Sequence, residues 1–351
     1  MSARPLVGVT GATGFIGGAL VARLAERGDY DLVVVDDGSG PVHVPPLITS
    51  RLLEAYQGDF AGSEALRALA ECDAIVHLAA VSGVVPCARE PERTARVNVE
   101  GTRRLYEVCR ERRIPVAFAS SLAVVGRVGR FPAREATPAR PTHEYARQKA
   151  EGERLTRALS SSSAEEAGGS VVRTAILRQS NVYGGYRAPA DAAWVAKANV
   201  LEVFARQASD DGGRLTVNAP GTQRRDFVHI EDVVAHWEAA LRYLLLAPEP
   251  SSGEPASRTF NVASGESYSV AEVAEEVRAA YALAHPGRRA LRVEVVPNPR
   301  EGIEVVEPTF RVERAVTSAL LGVECRHRLR DEVPAILARA EAQQQEQGVP
   351  A

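Results

Sequence analysis

The chain has 351 residues, enough for about two domains of roughly 150 residues each and for a core that needs no covalent staple. Hydrophobic residues make up 45% and charged residues 25%, and 42 basic against 45 acidic side chains leave a net charge of −3. That balance excludes a nucleic-acid or membrane-surface binder, because either partner needs a basic patch to displace its counterions. No apolar run approaches the roughly 20 residues that cross a bilayer, and the opening MSARPLVGVTGATG enters a fold motif with no room for a signal peptide. Cys72, Cys87, Cys109 and Cys325 have neither metal-ligand nor redox spacing, so free thiols, no bound metal and a cytoplasmic location are expected. Only two of the 42 basic residues are lysines, Lys149 and Lys197.

Short apolar runs alternate with helical patterns through the first half. Pro5–Thr10, Asp31–Asp36, Asp73–Ala79, Pro115–Ser121 and Val171–Arg178 read as buried strands rich in Val, Ile and Ala. Between them, Gly14–Arg27, Ser63–Cys72, Glu92–Arg113 and Glu144–Leu159 read as helices, with Ser63 as an N-cap and Gly28 just past the first helix. Strands apolar on both faces, alternating with helices, predict an α/β fold: a doubly wound parallel sheet of Rossmann type with right-handed crossovers. Gly38–Gly58, with Pro41, Pro45 and Pro46, reads as a long loop, and Ser160–Gly169 as a low-complexity connection. After Asn181 the rhythm turns irregular. Trp194–Ala208 and Ser269–Tyr281 read as helices, and Ala247–Ser257 as another loop. Residues 1–181 are expected to form the first domain and residues 182–351 a smaller, mixed α/β substrate domain. Asp226–Ala263, containing the strand-like DFVHI and TFNVA, is expected to return to the first.

Gly11, Gly14 and Gly17 in TGATGFIGG follow the first strand and open the first helix. Glycines at that spacing give a tight turn, close backbone approach to a pyrophosphate and close helix–strand packing, and the helix N-terminus meets the phosphates. The alternative is a glycine turn without a ligand. Asp36 follows Gly17 by nineteen residues and ends the second strand, where a carboxylate accepts ribose hydroxyls and repels a 2′-phosphate. Asp37 adds to the repulsion, and no basic residue follows before Arg51, so NAD is expected over NADP. Asp36 and Asp37 as turn formers before Gly38 remain the alternative.

Tyr145 and Lys149 lie four apart on a predicted helix and so project from one face. A phenol is a poor base at its ordinary pKa near 10, and an adjacent ammonium is expected to bring it nearer working pH. A compact ammonium suits this better than a guanidinium, in a chain that otherwise uses Arg for its positive charge. The other reading of YARQK is a solvated helix face. Ser121 ends the strand PVAFASS at the carboxyl edge of the sheet, where ligands bind; Ser120 as the working hydroxyl is the alternative.

With these residues in place, the chain resembles the extended short-chain dehydrogenase/reductases, and within them the NAD-dependent epimerase/dehydratase family of nucleotide-sugar enzymes, UDP-glucose and UDP-glucuronate 4-epimerases among them. TGATGFIGG, Asp36, GDF with Asp59, HLAA from His77, NVEGT from Asn98, ASSLAVVG, YARQK, LRQSNVYG, RRDFVHIEDV and FNVASGE occur in the family's order and spacing. The resemblance implies that Ser121, Tyr145 and Lys149 are the catalytic triad. It implies a cofactor set of Gly11, Gly14, Phe15, Ile16, Gly17, Asp36, Asp59, Phe60, Leu78, Ala79, Ala80 and Asn98 together with Tyr145 and Lys149. On the substrate side it implies Asn181, Arg225 and Arg300 at the pyrophosphate, with Asn199 and Val200 beside them. For Arg225 the alternative is an ion pair with Asp226 or Asp232, and for Asn181 a turn ahead of Tyr183-Gly184. Arg187 is a candidate for a substrate carboxylate, or a surface residue. A homodimer is also implied.

The departures from the family narrow the chemistry. Related dehydratases and decarboxylases carry acidic residues just after the catalytic Ser or Thr, where this chain has Leu122 and Ala123, which move no protons. Val125 replaces a common Tyr, and Asn218 and Ile303 stand where nucleotide contacts are frequent. The expected activity is epimerisation of a nucleotide sugar, at C4 of a UDP-hexose or UDP-hexuronate. A one-way NAD-dependent reductase of a nucleotide keto-sugar is the nearest rival, and a non-catalytic NAD sensor the more distant one.

Overall fold

Strand β1 (Leu6–Thr10) starts a sheet whose interior strands are buried on both faces and carry runs of Val, Ile, Leu and Ala. The computed structural model describes residues 4–39, 52–129, 131–160, 172–185, 199–210, 213–246, 255–299 and 309–346. The remaining strands in chain order are β2 (Asp31–Asp36), β3 (Leu52–Gln57), β4 (Ala74–His77), β5 (Val116–Ser121), β6 (Thr174–Gln179), β7 (Asn181–Tyr183), β8 (Arg214–Asn218), β9 (Arg224–His229), β10 (Ser257–Val262), β11 (Ser267–Ser269) and β12 (Arg292–Val296). The helices are α1 (Phe15–Arg27), α2 (Ser63–Leu69), α3 (Val84–Arg89), α4 (Pro91–Ala95), α5 (Thr102–Arg112), α6 (Glu144–Leu159), α7 (Val200–Ser209), α8 (Ile230–Leu246), α9 (Val270–Ala284), α10 (Ala315–Leu321) and α11 (Leu329–Glu346).

Seven strands form one parallel sheet in the order β10-β6-β5-β4-β1-β2-β3. Successive side chains serve opposite faces. Val7, Val9, Val34, Val76, Ala117 and Leu177 pack with Leu20 and Leu24 of α1 and Val233, Trp237 and Leu241 of α8. Val33, Val35, Ile75, Phe118 and Ile176 pack on the other side with Leu69 of α2, Leu105 of α5 and Leu155 and Leu159 of α6. A third core, built by Tyr183, Phe204, Leu215, Val217, Val277 and Leu337, belongs to the second half of the chain. Two small sheets border it: β9 pairs antiparallel with β11 and parallel with β7, and β12 pairs parallel with β8.

The structure corrects several sequence expectations. The stretch read as a loop over Gly38–Gly58 contains β3, paired with β2. As an edge strand its Glu54, Ala55 and Gln57 stay exposed, so it lacks the apolar run that marks the interior strands. The helix read over Glu92–Arg113 is broken into α4, a π-helical turn at Arg96–Gly101 and α5. Gly62, not Ser63, is the residue at the N-cap of α2. DFVHI contributes to β9 in the three-stranded sheet, whereas TFNVA contributes to β10 at the edge of the large sheet. The long loops over Ser160–Gly169 and Ala247–Ser257 and the start of the helix read from Trp194 lie largely or wholly outside the described residues. The four cysteines are unpaired.

Candidate active site

Two adjoining cavities open at the carboxyl ends of β1, β2, β4, β5 and β6. The larger, about 550 Å³, runs from Asp36, Asp37, Asp59 and Phe60 past Gly11, Gly14, Phe15, Ile16 and Gly17, then Leu78, Ala79 and Ala80, to Tyr145, Lys149, Gln179, Val182, Asn199 and Glu202. The smaller, about 360 Å³, is bounded by Ser121, Leu122, Ala123, His143, Tyr145, Asn181 and Arg225, among others. Tyr145, Gln179, Val182 and Asn199 line both. The phenol is thus a shared wall.

The glycine turn is shaped by packing. Gly11 has φ +69°, and a Cβ there would lie 2.6 Å from the Ala79 amide nitrogen; one at Gly17 would lie 2.0 Å from the Gly11 carbonyl oxygen. No side chain caps α1 at Gly14, and Gly14 to Gly17 line the cavity, so a helix N-terminus faces it. This is the arrangement that receives a pyrophosphate. Asp36 has two jobs. Its Oδ2 accepts the Thr13 amide at 3.0 Å and its Oδ1 the Gly38 amide at 2.8 Å, and the same residue lines the cavity. Turn former and cavity carboxylate are therefore compatible readings, since a carboxylate has about four lone-pair sites. These features fit a dinucleotide.

At the other end, His143 caps α6, its Nδ1 accepting the Ala146 amide at 3.2 Å, and its ring stacks on Tyr145 at 6.2 Å with an interplanar angle of 4°. Lys149 is 5% exposed and its Nζ donates to the Ala119 carbonyl at 2.8 Å. Burial lowers its pKa to about 8. Burial pushes the Tyr145 phenol up to about 12, with a hydrogen bond to the Ser121 hydroxyl pulling the other way. The phenol was expected to be brought nearer working pH by the adjacent ammonium; in the structure removal from water is the largest influence on both groups, raising the phenol and lowering the ammonium. Ser120 and Ser121 face different cavities, Ser120 the larger and Ser121 the smaller. Ser121 lines the small cavity and accepts the Ala123 amide at 3.2 Å, whereas Ser120 is 3% exposed and donates to Glu153 Oε1 at 2.6 Å.

Two other expected site residues line neither cavity. Asn98 is buried and holds Val81 by both its amide and its carbonyl, at 2.8 and 3.0 Å, while also donating to Gln148 at 2.7 Å. It positions the cavity wall, because its hydrogen bonds go to the loop that forms that wall. Val200 packs against the third core. Asn199 reaches both cavities, but its side chain caps α7, accepting the Leu201 amide at 2.9 Å and donating to the Val182 carbonyl at 2.8 Å. Asn181 donates to the Asp226 carbonyl at 3.1 Å, and Arg225 Nη1 donates to the Arg224 carbonyl at 2.8 Å. Arg187, Arg300 and Ile303 lie outside the described residues. Sequence reading missed His143, Gln179 and Glu202. Only His143, directly before the acidic first turn of α6, carried a signal.

His229, His327 and Glu332 bring three possible ligand atoms within 4.8 Å of one another. The Nδ1 of His229 accepts the Glu231 amide at 3.3 Å, so the neutral ring carries its proton on Nε2 and offers no lone pair to an ion.

Residues 7–263 match the NAD dependent epimerase/dehydratase family. The chain belongs to it. Among relatives of this family member, an ADP-L-glycero-D-manno-heptose-6-epimerase of Alkalilimnicola ehrlichii is 34% identical over 268 residues, 72% of this chain and 77% of that protein. A UDP-glucose 4-epimerase of Neisseria gonorrhoeae is 29% identical, with 80% and 84% covered. The solved UDP-glucose 4-epimerase of Thermotoga maritima superposes with a TM-score of 0.75 at 25% identity, covering 97% of this chain and 99% of that one. This member of the family is an NAD-dependent enzyme of the extended short-chain dehydrogenase/reductase type, and its named relatives are nucleotide-sugar epimerases. Among the described residues no helix is long and apolar enough to cross a membrane.

Proposed function

We propose that the protein epimerises a nucleotide sugar at C4, with a UDP-hexose or UDP-hexuronate as substrate. The observation that carries this reading is Tyr145 as the common wall of two cavities, one suited to a dinucleotide and the other lined by Ser121 and Arg225. Among the described residues no carboxylate lines the smaller cavity, and Leu122 and Ala123 stand beside Ser121. That favours oxidation and reduction of a carbinol over elimination, which needs a further acid or base.

Bound NAD supplies the hydride acceptor and donor that inversion at a carbon requires. Tyr145 takes the proton from the sugar O4 and later returns it, Ser121 orients that oxygen, and Lys149 steadies the phenolate. Asn181 and Arg225, with Arg300 outside the described residues, hold the pyrophosphate while the 4-keto sugar turns to present its other face. Arg187 would meet the carboxylate of a hexuronate. On this reading residues 1–181, with a return over 226–263, bind NAD and residues 182–351 bind the nucleotide sugar, in a cytoplasmic homodimer.

An epimerase needs its reducing equivalent back in each cycle and gains from slow cofactor exchange. Protein purified without added nucleotide should retain NAD or NADH. It should interconvert a UDP-hexose or UDP-hexuronate with its C4 epimer at constant NADH absorbance. Empty protein that consumes NADH stoichiometrically with a nucleotide keto-sugar would establish the reductase instead.

A further inference from the structure

Four carboxyl groups line the larger cavity among its described residues: Asp36, Asp37, Asp59 and Glu202. The first three cluster at the end bounded by Phe60. Glu202 belongs to the opposite end, with Tyr145, Lys149, Gln179 and Val182, next to the smaller cavity. It sits in the first turn of α7. Its Oε1 accepts the Gly184 amide at 3.0 Å, and among the described residues its buried Oε2 has no hydrogen-bond partner. The residue is 5% exposed. A buried carboxyl oxygen without a partner is costly to keep, so its persistence beside a ligand cavity points to a ligand.

Burial raises the Glu202 pKa to about 7, opposed by the amides of Glu202 itself and Gly184 and by Arg339 and Arg206. Lys149 lines the same cavity, but its ammonium is engaged by the Ala119 carbonyl. A carboxyl so placed is readily ionised by an arriving positive charge. The nicotinamide ring of NAD is cationic and that of NADH is neutral.

We propose that Glu202 sets the preference of this protein for oxidised over reduced cofactor, its buried carboxylate favouring the cationic ring of NAD over the uncharged ring of NADH. The inference rests on the reading that the larger cavity holds the dinucleotide with its nicotinamide at the Tyr145 end. It deepens that reading, because a protein that must end each cycle with its cofactor oxidised benefits from a fixed negative charge there.

The test measures dissociation constants for NAD by calorimetry and for NADH by fluorescence, at about pH 8, on nucleotide-free full-length protein and on Glu202→Gln and Glu202→Asp. Gln retains an oxygen for the Gly184 amide, so the fold is kept while the charge is removed. Opposite charges a few ångströms apart in a partly desolvated site are worth about tenfold or more in affinity. Glu202→Gln should therefore weaken NAD roughly tenfold and leave NADH within a factor of about two, and Glu202→Asp should restore part of the preference. Equal weakening of both forms in Glu202→Gln, or the same NAD-to-NADH ratio in Gln and Asp variants, overturns the proposal. Unmodified protein that binds neither form overturns the assignment of the cavity itself.

Discussion

Glu153 and Arg178 meet through two hydrogen bonds of 2.8 Å, with neither side chain more than 2% exposed. The pair ties α6, which carries Tyr145 and Lys149, to β6, and the Ser120 hydroxyl closes the network from β5. Burial raises the Glu153 pKa, but Arg178, Ser120 and Arg157 outweigh it and hold the carboxyl below its ordinary range. Breaking a buried pair from one side strands the other charge and costs about 3–5 kcal/mol. Arg178→Met should lose about that much in urea unfolding near pH 7. A carboxyl with a depressed folded pKa contributes stability above its unfolded value and loses it as pH falls. The deficit of the variant should accordingly shrink towards pH 4.

The two adjacent serines should separate in mutagenesis. Ser121→Ala should cut turnover with little change in unfolding midpoint, because its hydroxyl lines the smaller cavity. Ser120→Ala should keep most of its turnover and lose about 1–3 kcal/mol of stability, since a hydrogen bond to a buried carboxylate is removed. Turnover assays and urea titrations on both variants decide; the opposite pattern would make Ser120 the working hydroxyl.

Tyr145→Phe should lower kcat by roughly 10²–10⁴-fold with substrate affinity largely kept. Lys149→Arg should also be damaging, because a guanidinium does not fit a site 5% exposed whose donor reaches the Ala119 carbonyl. With the lysine at about 8 and the phenol at about 12, the pair as a whole gives up its first proton near pH 8. The phenolate–ammonium form belongs to that singly deprotonated level. The pH profile of kcat/KM should thus rise towards a plateau near or above pH 8; a profile falling from pH 6 to 9 would contradict it.

NAD should bind more tightly than NADP. Asp36→Ala should narrow the gap by removing the charge that meets a 2′-phosphate. It should also weaken NAD, because the Thr13 and Gly38 amides lose their acceptor and the glycine turn loosens. Equal affinities of the unmodified protein for the two cofactors would show that the end of β2 does not discriminate.

What the sequence made legible was the part with strong local chemistry. Fully buried strands announce themselves by unbroken Val, Ile and Ala runs, and Gly11, Gly17, Tyr145 and Lys149 by fixed spacings within one turn or one helix. β3 was missed because an edge strand needs no apolar face, and the π-helical turn because no residue type within Arg96–Gly101 announces it; Asn98 in that turn bonds to Val81 on a separate loop. The same holds for the site. Gln179 and Glu202 stand beside expected site residues, Asn181 and Asn199–Val200, but that they themselves line a cavity follows only from how β6 and α7 pack. Asn98 shows the converse: a motif residue whose polar groups go to a loop and not to the cavity.

The seventh strand of the large sheet comes late. β10, made by residues 257–262, covers the edge of β6, made by residues 174–179. A polypeptide emerging from the ribosome must therefore carry the β6 edge open until Val262 has been synthesised, and an open, apolar strand edge is a template for pairing with other chains. Truncation anywhere between residues 182 and 256 should yield aggregating material and not a smaller working unit, however complete the glycine turn and the Tyr145–Lys149 helix it retains.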